Sequence, residues 1–207
     1  MLIDTHSHLY LPEYDEDIDQ VMERAHTAGV DMIILPGVDE TSLERMRALR
    51  DRYPQNVVLA PGVHPTEIKD DWQAQVAVIA EELRLHRDEF VAIGEIGIDL
   101  HWDTTTLPQQ TQAFDAQVRL ALEHDLPIII HSRDALDETL SVLKPYAADK
   151  RLRGVFHSFP GTPDDVAKVT EALAGRQFLF GINGVVTFKN ARLCESLPAI
   201  GLDRLMV

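Results

Sequence analysis

The chain has 207 residues and a formal net charge of −15, from 19 lysines and arginines against 34 aspartates and glutamates. Hydrophobic residues make up 45% of it, enough for a large globular core, and no apolar run approaches the roughly 18 residues of a membrane span. The acidic balance, with no Lys/Arg run, excludes broad coating of duplex DNA through phosphate contacts; it does not exclude recognition of a strand end, where metal ions and a few local cations neutralise one phosphate.

Cys194 is the one cysteine, so no internal disulfide forms, and the N-terminus enters Leu2-Ile3-Asp4 with no basic-then-apolar leader. The expectation is a cytoplasmic protein with no membrane contact and no obligate protein partner.

In chain order, short β-type runs alternate with amphipathic helices. Met1–Thr5 is apolar and strand-like, and Asp15–Ala28 carries Ile18, Val21, Met22 and Ala25 on one helical face before Gly29. Val30–Pro36 reads as a buried strand. Thr41-Ser42-Leu43-Glu44 has capping-box spacing and opens a helix with Leu43, Met46 and Leu49 inward. Val57–Val63 is a strand, followed by a helix with Trp72, Val76, Ile79 and Leu83 on one face. Val91–Ile96 is a strand, followed by a polar loop and a long helix bearing Phe114, Val118, Ala121 and Leu122.

Leu126–Ile130 is the next strand, with Leu136, Leu140 and Leu143 on its helix. Gly154–Phe156 precedes Thr162-Pro163-Asp164-Asp165, a helix start with a Thr cap, an early proline and acids at the positive dipole end. Gln177–Ile182 is the seventh strand, Ala191–Ile200 the last helix, and Arg204–Val207 begins an eighth apolar run. Repeated βα units imply parallel strands joined by helical crossovers. Residues able to bind metal end at least five of these runs, which favours convergence on one barrel face over a doubly wound sheet with its single switch point. The expected fold is α/β, a (β/α)8 TIM barrel, in a single domain over 1–207. It is incomplete at strand eight, because such barrels usually need about 250 residues.

His6 and His8 are two apart and share one strand face with Asp4, offering two imidazoles to one divalent ion. Glu95 lies in Ile93-Gly94-Glu95-Ile96-Gly97-Ile98-Asp99; a carboxylate among apolar residues is costly unless paired or metal-bound, and its two oxygens suit it to bridge two ions. His131 and His157 each follow an apolar run and precede a serine. Any one of these alone also fits a satisfied core histidine or a surface residue; five together point to metal. His64, in Gly62-Val63-His64-Pro65, suits a supporting or substrate role better than ligation. Asp99, His101 and Trp102 fall on the presumed active face, Trp102 as a base-stacking or roofing residue. Arg133 and Lys189 are the local cations for phosphate, while His26, His86 and His124 lie on helices as surface residues.

The segments DTHSHL at Asp4–Leu9, GVHP at Gly62–Pro65, GEIGID at Gly94–Asp99, LPIIIHSRDA at Leu126–Ala135, VFHSFPGT at Val155–Thr162 and GVVTFKNA at Gly184–Ala191 resemble the TatD-like metal-dependent deoxyribonucleases. These are a branch of the amidohydrolase-type barrel hydrolases, and the matches span the chain in order. The resemblance implies two divalent ions (Mg2+, Mn2+ or Zn2+): His6 and His8 on one, His131 and His157 on the other, and Glu95 shared. It implies cleavage of DNA phosphodiester bonds by a metal-activated water, exonuclease-like, on single strands or strand ends. Glu95 and Asp99 are the expected catalytic carboxylates.

The family pattern continues past the eighth run with Glu-Thr-Asp, whose aspartate is a ligand and proton acceptor. The sequence stops at Val207, so the expectation is a C-terminally truncated domain lacking that ligand. Two rivals follow: a catalytically silent metal-binding fragment, and an amidohydrolase acting on a C–N or ester bond. Against the second, related barrels usually bridge their ions with a carbamylated lysine near the end of strand four, where this chain has Glu95.

Overall fold

The computed structural model describes residues 2–189 and 191–207. The described residues form eight strands: β1 (Leu2–Asp4), β2 (Val30–Pro36), β3 (Val57–Ala60), β4 (Ile93–Asp99), β5 (Ile128–Arg133), β6 (Arg153–Phe156), β7 (Gln177–Gly181) and β8 (Leu205–Met206). The crossovers hold α1 (Ile18–Thr27), α2 (Ser42–Arg52), α3 (Trp72–His86), α4 (Leu107–Glu123), α5 (Leu136–Leu143) and α6 (Pro163–Ala172), and the short α7 (Leu197–Ile200) precedes β8. Every strand pair is parallel and the spatial order is the chain order, in two ladders, β1-β2-β3 and β4 through β8.

Backbone bonds join the two ladders at β3 and β4. Val91 N donates to Leu59 O at 3.0 Å and Gly94 N to Pro61 O at 3.0 Å. Strands that keep chain order without a reversal belong to the barrel-type α/β arrangement and not to a doubly wound sheet. Among the described residues no ladder joins β8 to β1.

The pleat sorts side chains between two cores. Ile33, Leu35, Leu59, Ile128, Ile130 and Phe156 belong to the large cluster that includes Met46, Ile79, Leu83, Phe114 and Val118 of the helices. The residues between them, Ile34, Ala60, Ala92, Ile129 and Val155, form a separate small cluster on the opposite, inner face. Small residues there leave the strands close together. A Cβ on Gly37 would lie 2.8 Å from Gly62 O, and one on Gly62 would lie 2.8 Å from Gly94 C, so backbone packs directly on backbone across β2, β3 and β4.

Three expectations need correction. The capping box at Thr41 does not form; Asp39 Oδ1 accepts from Thr41 N at 2.9 Å and Ser42 N at 2.9 Å, so the carboxylate two residues earlier takes the capping role. The helix expected over Ala191–Ile200 is broken into a 3-10 turn (Arg192–Glu195) and α7, because Pro198 has no N–H to bond the carbonyl four residues back and instead sits in the first turn of α7. The fourth strand runs on to Asp99, so Glu95 sits inside a strand instead of ending it, and so does His131 in β5. At Thr162 the capping box is complete: Thr162 Oγ1 accepts from Asp165 N, and Asp165 Oδ2 accepts from Thr162 N at 2.9 Å.

Candidate metal centre

The ends of the strands deliver their polar groups to one place, and backbone bonds fix each delivery. Glu95 N donates to Gly37 O at 3.1 Å, His64 N to Val38 O at 2.8 Å, and His157 N to Ile130 O at 2.8 Å. Helix α4 adds two buried amides. Gln117 accepts from Val63 N at 2.8 Å and donates to Val63 O at 3.2 Å; Gln110 does the same at Asp99, at 2.8 and 3.1 Å. The residue before His64 and the residue closing β4 are each clamped at both backbone groups.

Glu95 is the hub, buried at 4% exposure. Its Oε2 lies 3.1 Å from His6 Nε2, and its Oε1 lies 3.2 Å from His131 Nδ1. His6 Nε2 is also 3.1 Å from His8 Nε2. Among the described residues two groups of donor atoms close enough to hold a cation result, His6-His8-Glu95 and His64-Glu95-His131, and Glu95 belongs to both. His157 stands beside them with its ring stacked on His6, centroids 3.4 Å apart, and Ser158 Oγ 2.9 Å from its Nε2. In this arrangement His64 joins the His131 group, while His157 meets the site through His6.

Electrostatics separate the imidazoles. Burial pushes His64 and His157 down to about 4, and burial followed by the charge of His6 lowers His8. His131 goes the other way: burial opposes its charge, but the hydrogen bond and charge of Glu95, then those of Asp99, outweigh it. Burial also works against the Glu95 carboxylate, yet hydrogen bonds from His131 and His6 hold it well below the usual range. With His8, His64 and His157 held neutral beside an ionised Glu95, the site offers donors of the kind a borderline divalent ion accepts. His6 Nδ1, on the far side of the ring from Glu95, is a buried polar atom with no hydrogen-bond partner among the described residues.

A cavity of about 610 Å3 opens above these groups, lined by His6, His8, His64, Glu95, His131 and His157 and rimmed by Arg133 and Arg192. Asp99 lies below it, 2.8 Å from His131 Nε2, and its Oδ1 accepts from His101 N and Trp102 N. Trp102 is 72% exposed, with the Arg133 guanidinium 5.4 Å from its ring centroid. Lys189 is exposed and is not part of the cavity lining, where Arg192 stands instead. Sequence reasoning passed over Tyr10, Gln110, Gln117 and Arg192. The two glutamines carried a usable signal, since both fall on the apolar stripe of α4 where an amide must have a reason to be buried.

The family model described as TatD related DNase matches residues 3–207. The uncharacterized metal-dependent hydrolase YabD of Bacillus subtilis (strain 168) is 37% identical over 208 aligned positions, covering 100% of this chain and 78% of the relative. The 3'-5' ssDNA/RNA exonuclease TatD of Rahnella sp. (strain Y9602) is 34% identical over 197 residues, covering 94% and 72%. Among solved structures, YjjV, a TatD homolog from Escherichia coli K12, superposes with a TM-score of 0.88 at 28% identity, covering 100% of this chain and 77% of that one. With a barrel-type α/β fold and a metal-dependent hydrolase's donor cluster at its strand ends, this chain belongs to the TatD-related DNase family.

Proposed function

We propose that this protein is a metal-dependent exonuclease acting on single-stranded DNA or RNA, with two divalent ions that share Glu95. The observation that carries the reading is the pair of donor groups meeting at one buried carboxylate. The 3'-5' ssDNA/RNA exonuclease activity for which the relative from Rahnella is named supports the substrate class. In this reading residues 1–207 act as one domain.

Bound divalent ions would supply acidified water and charge neutralisation at the phosphoryl oxygen. His6, His8 and Glu95 would hold one ion, and Glu95 and His131 the other, with His64 or His157 completing it. The chain's own residues do the rest. Asp99 accepts the proton on His131 Nε2 and so leaves Nδ1 free to face the centre. Arg133 and Arg192 flank the cavity and would take phosphate oxygens, with Lys189 further out. Trp102, braced by Arg133, offers a face on which a terminal base can stack.

The test is metal analysis combined with turnover. Protein loaded separately with Mn2+, Mg2+ and Zn2+ is given end-labelled single-stranded DNA and RNA, and a panel of amide and ester substrates. Stepwise shortening of the strand supports the proposal. Bound metal with no strand cleavage rejects it, and turnover of amides alone moves the protein to the rival amidohydrolase chemistry.

A further inference from the structure

We infer that Tyr10 is a positioning residue that locks His8 in the tautomer whose lone pair faces the centre, so that His8 is ready for a cation and His6 is not. The inference rests on the metal reading for its purpose but not for its geometry.

Tyr10 is buried at 3% exposure, and its hydroxyl lies 2.8 Å from Pro36 O and 3.1 Å from His8 Nδ1. The Ser42 hydroxyl and the Val38 N–H also reach the Tyr10 oxygen, but Ser42 donates to Asp39 Oδ1 at 3.0 Å and an N–H cannot accept; a carbonyl only accepts, so the single phenolic proton goes to Pro36, whose oxygen also faces the His8 ring. The Tyr10 oxygen can then only accept from the ring, which puts a proton on His8 Nδ1. A neutral imidazole has one N–H, and the lone pair is left on Nε2.

The other side of the ring gives the same answer independently. His8 Nε2 faces His6 Nε2 at 3.1 Å, and His6 Nε2 faces Glu95 Oε2 at 3.1 Å. The carboxylate accepts, so the proton between them belongs to His6 Nε2, and His8 Nε2 must accept from that same N–H. The two rings therefore start from opposite tautomers. To offer Nε2 to an ion, His6 has to move its proton to Nδ1, the buried atom that has no partner. His8 has nothing to move.

The experiment uses the full chain, metal-free and labelled with nitrogen-15, at pH 7.5. Long-range proton–nitrogen correlation spectra report each ring's tautomer, with His8 assigned by its loss in His8→Gln. The expected wild-type pattern is a protonated Nδ1 and a lone-pair Nε2 at His8. Tyr10→Phe removes one oxygen and should give mixed His8 tautomers and a Zn2+ affinity roughly 10–100-fold weaker by calorimetry, the usual cost of losing a group that orients a ligand. A wild-type His8 protonated on Nε2 overturns the inference, whether or not Tyr10→Phe folds. So does a folded Tyr10→Phe with an unchanged tautomer and unchanged Zn2+ affinity. Failure of the wild-type protein to bind Zn2+ rejects the metal reading instead, and the spectrum still decides the role of Tyr10.

Discussion

His131 gives its two ring nitrogens to two different carboxylates: Nε2 lies 2.8 Å from Asp99, and Nδ1 lies 3.2 Å from Glu95. Asp99 sits behind the ring and Glu95 in the centre, so one fixes the proton and the other competes for what remains. Asp99→Asn keeps the volume but replaces a pure acceptor with a group that can turn its NH2 toward the ring. The expected result is divalent-metal affinity down by about 10–100-fold with the fold retained, measured by calorimetry and circular dichroism. Unchanged affinity would assign Asp99 to the support of the loop at His101 and Trp102 alone.

Glu95→Gln strikes both donor groups at once. Exonuclease activity should fall by at least ~100-fold and bound metal should drop below that of any single histidine variant. A variant that still loads metal fully and degrades single strands would remove Glu95 from the centre.

Gly97 has φ +148°, and a Cβ there would lie 1.9 Å from His131 O. No side chain moves out of the way, because the obstacle is backbone. Gly97→Ala should cost about 3 kcal/mol or more and lower Tm by roughly 6–12 °C. A Tm within a degree of wild type would show that β4 and β5 separate more easily than their packing implies.

His64 and His157 titrate in the folded protein at about 4, against an ordinary value of 6.5. Between these values the unfolded chain binds protons that the folded chain refuses, so stability falls as pH drops through this window and levels off below it. Each ring contributes up to about 3 kcal/mol, reduced by coupling between them. His131, raised above its ordinary value, works in the opposite sense and offsets part of the loss. The Tm of metal-free protein should therefore fall by several degrees from pH 7 to pH 4.5, and a variant carrying both His64→Gln and His157→Gln should show a flatter profile. A wild-type Tm that stays level or rises on acidification contradicts the assigned burial.

Gln117→Leu keeps the bulk of the side chain but leaves Val63 N and O without partners. The expected cost is about 2–4 kcal/mol, with His64 displaced and His131 unaffected. Thermal melts and the His64 ring resonances check both halves. Equal perturbation of the two rings would mean that the amide supports the whole centre and not one strand end.

Much of this was readable in the residues. Apolar runs ending in histidine located the strand ends, and the glutamate inside Ile93–Asp99 located the hub, because buried strands tolerate such groups only for a reason. What the pattern could not supply was relative height around the barrel. His64 and His157 follow equally good strands, and only the three-dimensional offset puts the first beside His131 and the second against the His6 ring. Tyr10 was invisible for a related reason: it stands in a turn, and its meaning depends on Pro36, 26 residues away. The break before β8 is legible in Pro198, which has no N–H to give to a helix that begins at Ala191.

The hydrogen-bonded ladders run from β1 to β3 and from β4 to β8, and β1 bonds to β2 alone among the described strands. At the level of the centre, however, residues that follow β1 meet Glu95 of β4 and the His157 ring beyond β6. A cation gripped there would act as a clasp on a hoop, fastening the first strand to ones it never touches through its backbone. Chelation should then loosen the first turn of the chain ahead of the rest, and ion at a hundredfold excess over its dissociation constant should tighten the whole hoop by about 2.7 kcal/mol.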